Sequence, residues 1–341
     1  MNKVLSLDGG GSRGVLSICM LKNVEQLLAN TYGVANVYIQ SYFDYITGTS
    51  IGGLEAAALS VADEYGNFKY NATYLCDELS KKSLDIFSNH KWFSGGGVFR
   101  SQYHREPLTK VLEDLLGDTK LSETKIPISM HALKLGTNEP VTWSTYLAQC
   151  NPQYDYKLVD VAEATSAAPT YFDPKIIDGD NYVDGGIFAN DPTIVGLATF
   201  IKYNPSFDRH NTFVLSVGTG KKSYDQDTSH SGSLTGTALL DIIDVIFDSN
   251  KNSQVISSLR VLENYFKLDP EIREEIYKLD VRSAKIIEEY KDIANKYMDE
   301  FVKENPQLLE QFFLDPSIQY NITNSSQEGE PLGEMVVLDE L

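Results

Sequence analysis

Short apolar runs alternate along the chain with stretches whose apolar residues recur every three or four positions. Residues 4–7 form a brief run suited to a buried strand. From 14 to about 32, Val15, Ile18, Leu21, Val24, Leu27 and Leu28 fall on or near one face, which predicts a helix. A second strand is expected at 43–47 and an alanine-rich helix from 51 to about 61. The text from 64 to 105 is irregular and aromatic. Gly95, Gly96 and Gly97 follow no strand, so they predict a mobile loop. A helix is expected at 106–116, then two strands in "IPISMHALKL" and "PVTWSTY" around a Gly136-Thr137-Asn138 turn. "VDVAEATSAAPTYFDP" predicts a helix ended at or before Pro169, because proline disfavours helical geometry in the residue before it. "YVDGGIFANDPTIVGL" predicts a strand, a tight glycine turn and a helix, and "TFVLSVGTG" a buried β-branched strand.

Beyond 223 the text is polar and rich in Gly and Ser up to 237, a surface-loop pattern, and mainly helical from 238. Ile286, Tyr290, Ile293, Tyr297 and Phe301 make a helical stripe of the kind that packs into a core. No internal repeat is evident. Strands alternating with helices argue for an α/β fold whose mainly parallel sheet is covered on both faces. A length of 341 residues allows one large domain.

Composition changes this picture little: 42% of residues are hydrophobic and 23% charged. Charge changes it more. A net charge of −19 opposes binding to nucleic acid and to anionic membranes at long range, so no nucleic-acid partner is expected. No run approaches the roughly 18 apolar residues of a membrane span. The N-terminus lacks the apolar core of a signal peptide, which points to synthesis in the cytoplasm. Secretion without a signal peptide stays open. The three cysteines (Cys19, Cys76 and Cys150) are widely spaced and read as reduced thiols, with Cys19 in the core. The sequons at Asn71, Asn321 and Asn324 carry little weight without a secretion signal.

Three local patterns carry chemistry. Gly48-x-Ser50-x-Gly52 lies between a predicted strand and a predicted helix, the context in which a sharp turn lifts a serine above a sheet. A serine hydroxyl needs a base. None of the histidines (His90, His104, His131, His210 and His230) stands in a strong motif. Asp184 in "YVDGGIFAND" ends a strand before Gly185 and Gly186, which by itself also fits a plain turn. Finally, Asp8-Gly9-Gly10-Gly11-Ser12-Arg13-Gly14 contains G-x-G-x-x-G. Its backbone N–H groups could hold a phosphate or the oxyanion of an acyl transfer. The dinucleotide reading expects an acid about 20 residues further on. That position is Val34, and the nearest acid beyond it is Asp44. The P-loop lysine is also absent.

In this order and context the three patterns resemble the patatin-like phospholipase family. "ATSAAPTYFDP", "NDPT", "LSVGTG" and "NYFKL" resemble it as well, and the resemblance runs from about Lys3 to Phe301. It implies a three-layer α/β/α fold and a lipid acyl hydrolase of phospholipase A or lysophospholipase type that uses no cofactor and no metal. It implies Ser50 as nucleophile and Asp184 as base, without a histidine. Gly9, Gly10, Gly11 and Ile51 would form the oxyanion hole, supported by Asp8, Arg13, Gly14, Gly48, Gly52, Gly185 and Gly186. Lys267 departs from the arginine found in many members. Arg13 would either brace the loop or meet a headgroup phosphate.

The expected partners are a phospholipid or other acyl lipid, a membrane surface met transiently, and an activating protein or ligand left unidentified. The hydrolase domain is expected at 1–303, with 221–303 its mainly helical part, and 304–341 as a loosely held extension. Residues 92–103 read as a solvent loop, with a lid as the alternative. Two other functions remain at this level: a Ser-His-Asp α/β-hydrolase, and a nucleotide-binding scaffold built on the glycine loop.

Overall fold

The computed structural model describes residues 1–88, 91, 101–205, 207–223 and 238–306. His90, the three glycines at 95–97 with most of the expected lid segment, the 224–237 loop with His230, and the extension beyond 306 with Asn321 and Asn324 lie outside the described residues.

The strands are β1 (Asn2–Leu7), β2 (Tyr45–Thr49), β3 (Ile128–Lys134), β4 (Glu139–Ser144), β5 (Lys175–Ile177), β6 (Asp180–Asp184), β7 (Thr212–Val217), β8 (Lys221–Lys222), β9 (Asn264–Leu268) and β10 (Glu271–Ile272). The helices are α1 (Gly14–Tyr32), α2 (Ile51–Ser60), α3 (Ala72–Ile86), α4 (Glu106–Leu116), α5 (Thr145–Cys150), α6 (Leu158–Thr165), α7 (Gly186–Ala189), α8 (Thr193–Tyr203), α9 (Ala238–Val261) and α10 (Ala284–Glu304). The main sheet runs β5-β6-β3-β2-β1-β7-β9, with β4 also paired to β3. Its centre, from β3 through β2, β1 and β7 to β9, is parallel. The pairs β3–β4, β3–β6 and β5–β6 are antiparallel.

Alternation along the central strands builds the three layers. Leu5, Leu7, Ile46 and Leu215 join a core with Leu16, Leu54 and Val161 from α1, α2 and α6. Val4, Tyr45 and Val214 point the other way and pack with Leu197 and Phe200 of α8. The α/β/α architecture expected from the sequence is therefore what the chain adopts.

Several expectations change. β2 lies two residues later than predicted, because Val4 pairs with Tyr45 and Leu7 with Gly48. Gly48 and Thr49 thus finish the strand and Ser50 follows directly. α3 occupies text read as irregular. Asn71 caps it by accepting the Tyr74 N–H at 2.8 Å, and Leu75, Leu79 and Ile86 bury one face. The expected solvent loop ends early, since Ser101 and Tyr103 are buried. Cys19 is in the core, but it is not a free thiol. It is disulfide-bonded to Cys76, so the reading of three reduced thiols holds only for Cys150. The bond joins α1 to α3. Sequence spacing carried no sign of it, because the two helices meet only in the fold.

Candidate active site

Two strands converge at one point of β3. Along one edge β4 pairs with residues 129–134, so β2 and β6 must share the other edge in succession. β2 runs up to Thr49, opposite His131, and β6 runs down to Asp184, opposite Ala132. Ser50 and Asp184 follow from these ends and are brought together.

Ser50 has φ 55° and ψ −126°, outside the ordinary regions for an L-residue. Such a backbone costs on the order of 1–3 kcal/mol and must be held by its surroundings. Thr165 at the end of α6 holds it. Its hydroxyl accepts the Ser50 N–H at 3.0 Å and donates to the His131 carbonyl at 2.5 Å. Small residues let the chains pass: a Cβ on Gly52 would stand 2.2 Å from the Leu7 carbonyl oxygen. The Ser50 side chain does not cap α2, so the helix N-terminus with Ile51 faces the site.

Asp184 is fully buried, and burial raises its carboxyl pKa to about 7. Hydrogen bonding from the Ser50 hydroxyl and from the Gly186 N–H draws the other way without offsetting it. The Gly186 N–H donates to Oδ1 at 2.7 Å. The Ser50 hydroxyl is the other group that meets this carboxyl, and Oδ2 has no further hydrogen-bond partner among the described residues.

The glycine loop sits beside them. Gly9, expected among the oxyanion donors, gives its N–H to the Asn190 carbonyl at 2.9 Å, which corrects that assignment. No backbone carbonyl among the described residues takes the N–H of Gly10 or Gly11. Gly11 has φ +58°, and a Cβ there would stand 2.2 Å from the Leu279 carbonyl oxygen, so the loop tolerates only glycine at this position. Thr219 donates to the Gly9 carbonyl at 2.8 Å and fixes the loop from behind. Gly14 starts α1, and Gly185 precedes α7 with a helical φ of −68°.

Asp8 turns away from the serine into a buried ionic cluster. Lys267 on β9 donates to Asp8 at 2.7 and 2.6 Å, to Asp191 at 2.8 Å and to Ser216 at 2.8 Å. Lys251 reaches Asp269 at 2.7 Å. Burial alone would push Lys267 down, but Asp191 and Asp8 hold it well above its ordinary value. Burial raises Asp8 despite Lys267. Burial also pushes Asp191 up, and there the Lys267 ammonium prevails and lowers it. Arg13 is buried, with its guanidinium 3.7 Å from the centre of the Tyr277 ring. Of the two roles expected for it, this placement fits bracing the loop.

No histidine among the described residues hydrogen-bonds Ser50. His131 is fully buried and its pKa is pushed down to about 3 by burial. Its ring nitrogens bond the hydroxyls of Thr47 at 2.8 Å and Thr142 at 2.9 Å. His104 and His210 are exposed beside Glu106 and Glu263. Against Ser50 opens an apolar pocket lined by Leu54, Leu108, Tyr171, Phe172, Phe247 and Leu279 among others.

Sequence reasoning missed Thr165, Asn190, Asp191, Thr219, Lys251 and Tyr277. Only "ATSAAPTYFDP", "NDPT" and "LSVGTG" had marked the neighbourhood of some of them, without a role.

The fold and site define an α/β protein that presents a strained serine to a buried carboxyl at the end of a parallel sheet, beside an apolar pocket. A sequence profile described as Patatin-like phospholipase matches residues 5–197. Patatin-like protein 4 of Arabidopsis thaliana is 30% identical over 333 residues, 87% of this chain and 83% of that protein. A cGAMP-activated phospholipase of Vibrio cholerae is 32% identical over 253 residues, 69% of this chain and 68% of that protein. Patatin-2-Kuras 4 of Solanum tuberosum is 30% identical over 242 residues, 65% and 63% of the two chains. The chain belongs to the patatin-like phospholipase family, and that membership makes it a lipid acyl hydrolase. No helix among the described residues is long and apolar enough to cross a membrane.

Proposed function

We propose that the chain cleaves fatty-acyl esters of phospholipids, in the manner of a phospholipase A or lysophospholipase, through Ser50 and Asp184. The observation that carries this reading is the strained Ser50 held beside a buried Asp184 whose pKa is lifted into the working range of a general base. Asp184 takes the Ser50 proton as Oγ attacks the ester carbonyl. N–H groups of Gly10, Gly11 and Ile51 meet the oxyanion. The tetrahedral intermediate collapses, Asp184 protonates the departing alcohol, and acyl-Ser50 remains. Water then attacks the acyl carbon and gives a proton to Asp184, the C–Oγ bond breaks as Asp184 passes that proton to Ser50, and the fatty acid is released. The apolar pocket takes the acyl chain, so the substrate meets the protein at a lipid surface.

The Ser-His-Asp alternative finds no support in His131, whose two ring nitrogens are both engaged by threonines. The scaffold alternative has no catalytic use for Ser50. The test is mass spectrometry of products from a mixed lipid extract, wild type against Ser50→Ala. Free fatty acid and its lyso-lipid partner should appear with wild type alone. A fluorophosphonate should label Ser50 stoichiometrically, and failure to label it would remove the acyl-serine mechanism. One relative is described as cGAMP-activated, so a cyclic dinucleotide belongs among the assay conditions as a candidate activating ligand.

A further inference from the structure

Asn190 ends α7, a few residues beyond Asp184, and folds back over the glycine loop. It is buried and firmly held. Its backbone N–H donates to the Asn250 side chain at 2.8 Å, its carbonyl accepts the Gly9 N–H at 2.9 Å, and its Nδ2 donates to the Phe247 carbonyl at 3.3 Å. That last bond fixes the amide orientation, because only the nitrogen end can face a carbonyl. The oxygen end then faces the site. A Cβ built on Gly9 would stand 2.3 Å from Asn190 Oδ1 and 3.3 Å from Ser50 Cβ. One built on Gly186 would stand 3.0 Å from Asn190 Oδ1 and 3.1 Å from Asp184 Oδ1. Asn190 Oδ1 therefore neighbours both the serine and the carboxyl. It has no hydrogen-bond partner among the described residues, and Asp184 Oδ2 has none beyond the Ser50 hydroxyl.

A buried acceptor without a donor is costly, at about 1–3 kcal/mol, and Asn190 Oδ1 is one beside the reacting serine, while Asp184 loses the Ser50 hydroxyl once that serine is acylated. We infer that Asn190 holds the water that hydrolyses acyl-Ser50, in concert with Asp184. This rests on the acyl-serine reading above. Water brings two O–H donors, one for Asn190 Oδ1 and one for Asp184 Oδ2, which leaves its lone pairs toward the acyl carbon. As the water oxygen bonds to that carbon, the proton facing Asp184 transfers to the carboxylate, and the other stays on the attacking oxygen, still hydrogen-bonded to Asn190 Oδ1. The C–Oγ bond then breaks, Asp184 returns its proton to Ser50, and the acid leaves. A neutral amide suits the position, since a second carboxylate there would repel the charge of Asp184.

The assay compares wild type with Asn190→Leu and Asn190→Ser on a short-chain p-nitrophenyl ester. Fluorophosphonate labelling of Ser50 reports the acylation site independently. Both variants should label within about twofold of wild type. They should give a full nitrophenol burst, lose on the order of tenfold to a hundredfold in steady-state turnover, and accumulate acyl-enzyme by intact-mass spectrometry. Hydroxylamine, a nucleophile that needs no such positioning, should restore much of the turnover. The inference is overturned if labelling, burst and turnover fall together in both variants, or if turnover falls without acyl-enzyme accumulating. If wild type itself neither labels nor bursts, it is the acyl-serine reading that fails.

Discussion

Ser50 and Asp184 meet because one edge of β3 receives two strands in turn, Thr49 opposite His131 and Asp184 opposite Ala132. The carboxyl is thus delivered to the serine from a strand running against the one that ends at it, in a buried place where its charge is poorly solvated. Burial lifts its pKa to about 7. As a base it must be ionised in the free protein, so kcat/KM should fall tenfold per pH unit as pH drops below about 7. Asp184→Asn should abolish this dependence and lower kcat by roughly 10^2 to 10^4. Near-normal activity of the Asn variant, or a profile flat from pH 5 to 8, would contradict the assignment.

The same shift predicts a stability effect. The folded pKa of Asp184 is raised above the ordinary 3.8, so between these values the folded state holds a proton that the unfolded state has lost. The carboxyl therefore costs no stability below about pH 4. The cost grows as pH rises toward 7 and is complete above it. Asp184→Asn should be more stable than wild type at pH 8, by up to about 4 kcal/mol. It should gain little at pH 4. Urea titrations of both proteins at the two pH values measure the difference, and an equal shift at both would refute the burial argument.

The chain text carried the outline of this arrangement and not its supports. α4 runs from Glu106 to Leu116 as its apolar spacing predicts, and α1 starts and ends where expected. α4 keeps a clear apolar stripe of Leu108, Val111, Leu112, Leu115 and Leu116, and α1 is an apolar-rich helix of 19 residues. α3 escaped because its buried stripe of Leu75, Leu79 and Ile86 sits in text crowded with aromatic and polar residues. β9 is five residues long and carries a lysine, so it reads as a strand only once β7 lies beside it. The elbow and the glycine loop are local motifs and could be read directly. Thr165, Asn190 and the cluster around Lys267 act from segments far away in sequence, and no local pattern links Asp8 to Lys267 across 259 residues. Gly9 shows the same limit, since a motif cannot say which of its N–H groups a neighbouring carbonyl will take.

The Cys19–Cys76 bond is a second long-range link, and it is directly countable. Denatured, unreduced protein should show one reactive thiol per chain, Cys150, and three after reduction. The bond closes a loop with a sequence separation of 57 and ties α1, which follows the glycine loop, to α3, whose end lines the pocket. Cys76→Ala, or reductant, should lower stability by about 2–4 kcal/mol. Three reactive thiols without reductant would restore the reading of free cysteines.

Lys267 provides the last prediction, because it stands between two buried carboxylates that have few other cationic neighbours. Asp191 accepts from it at 2.8 Å and Asp8 at 2.6 and 2.7 Å, while Lys251 is 3.7 Å from Asp8. Removing the ammonium leaves buried negative charge without its partner, the costly half of a broken ion pair. Lys267→Met should therefore destabilise the protein by about 3–5 kcal/mol. It should also impair activity, because Asp8 leads into the glycine loop that faces Ser50. Adding Asp8→Asn to Lys267→Met removes one of the stranded charges, so the double variant should recover part of the lost stability. Thermal denaturation of the single and double variants decides the point. If the two substitutions simply add, Lys267 and Asp8 are not coupled and the cluster does not anchor the loop.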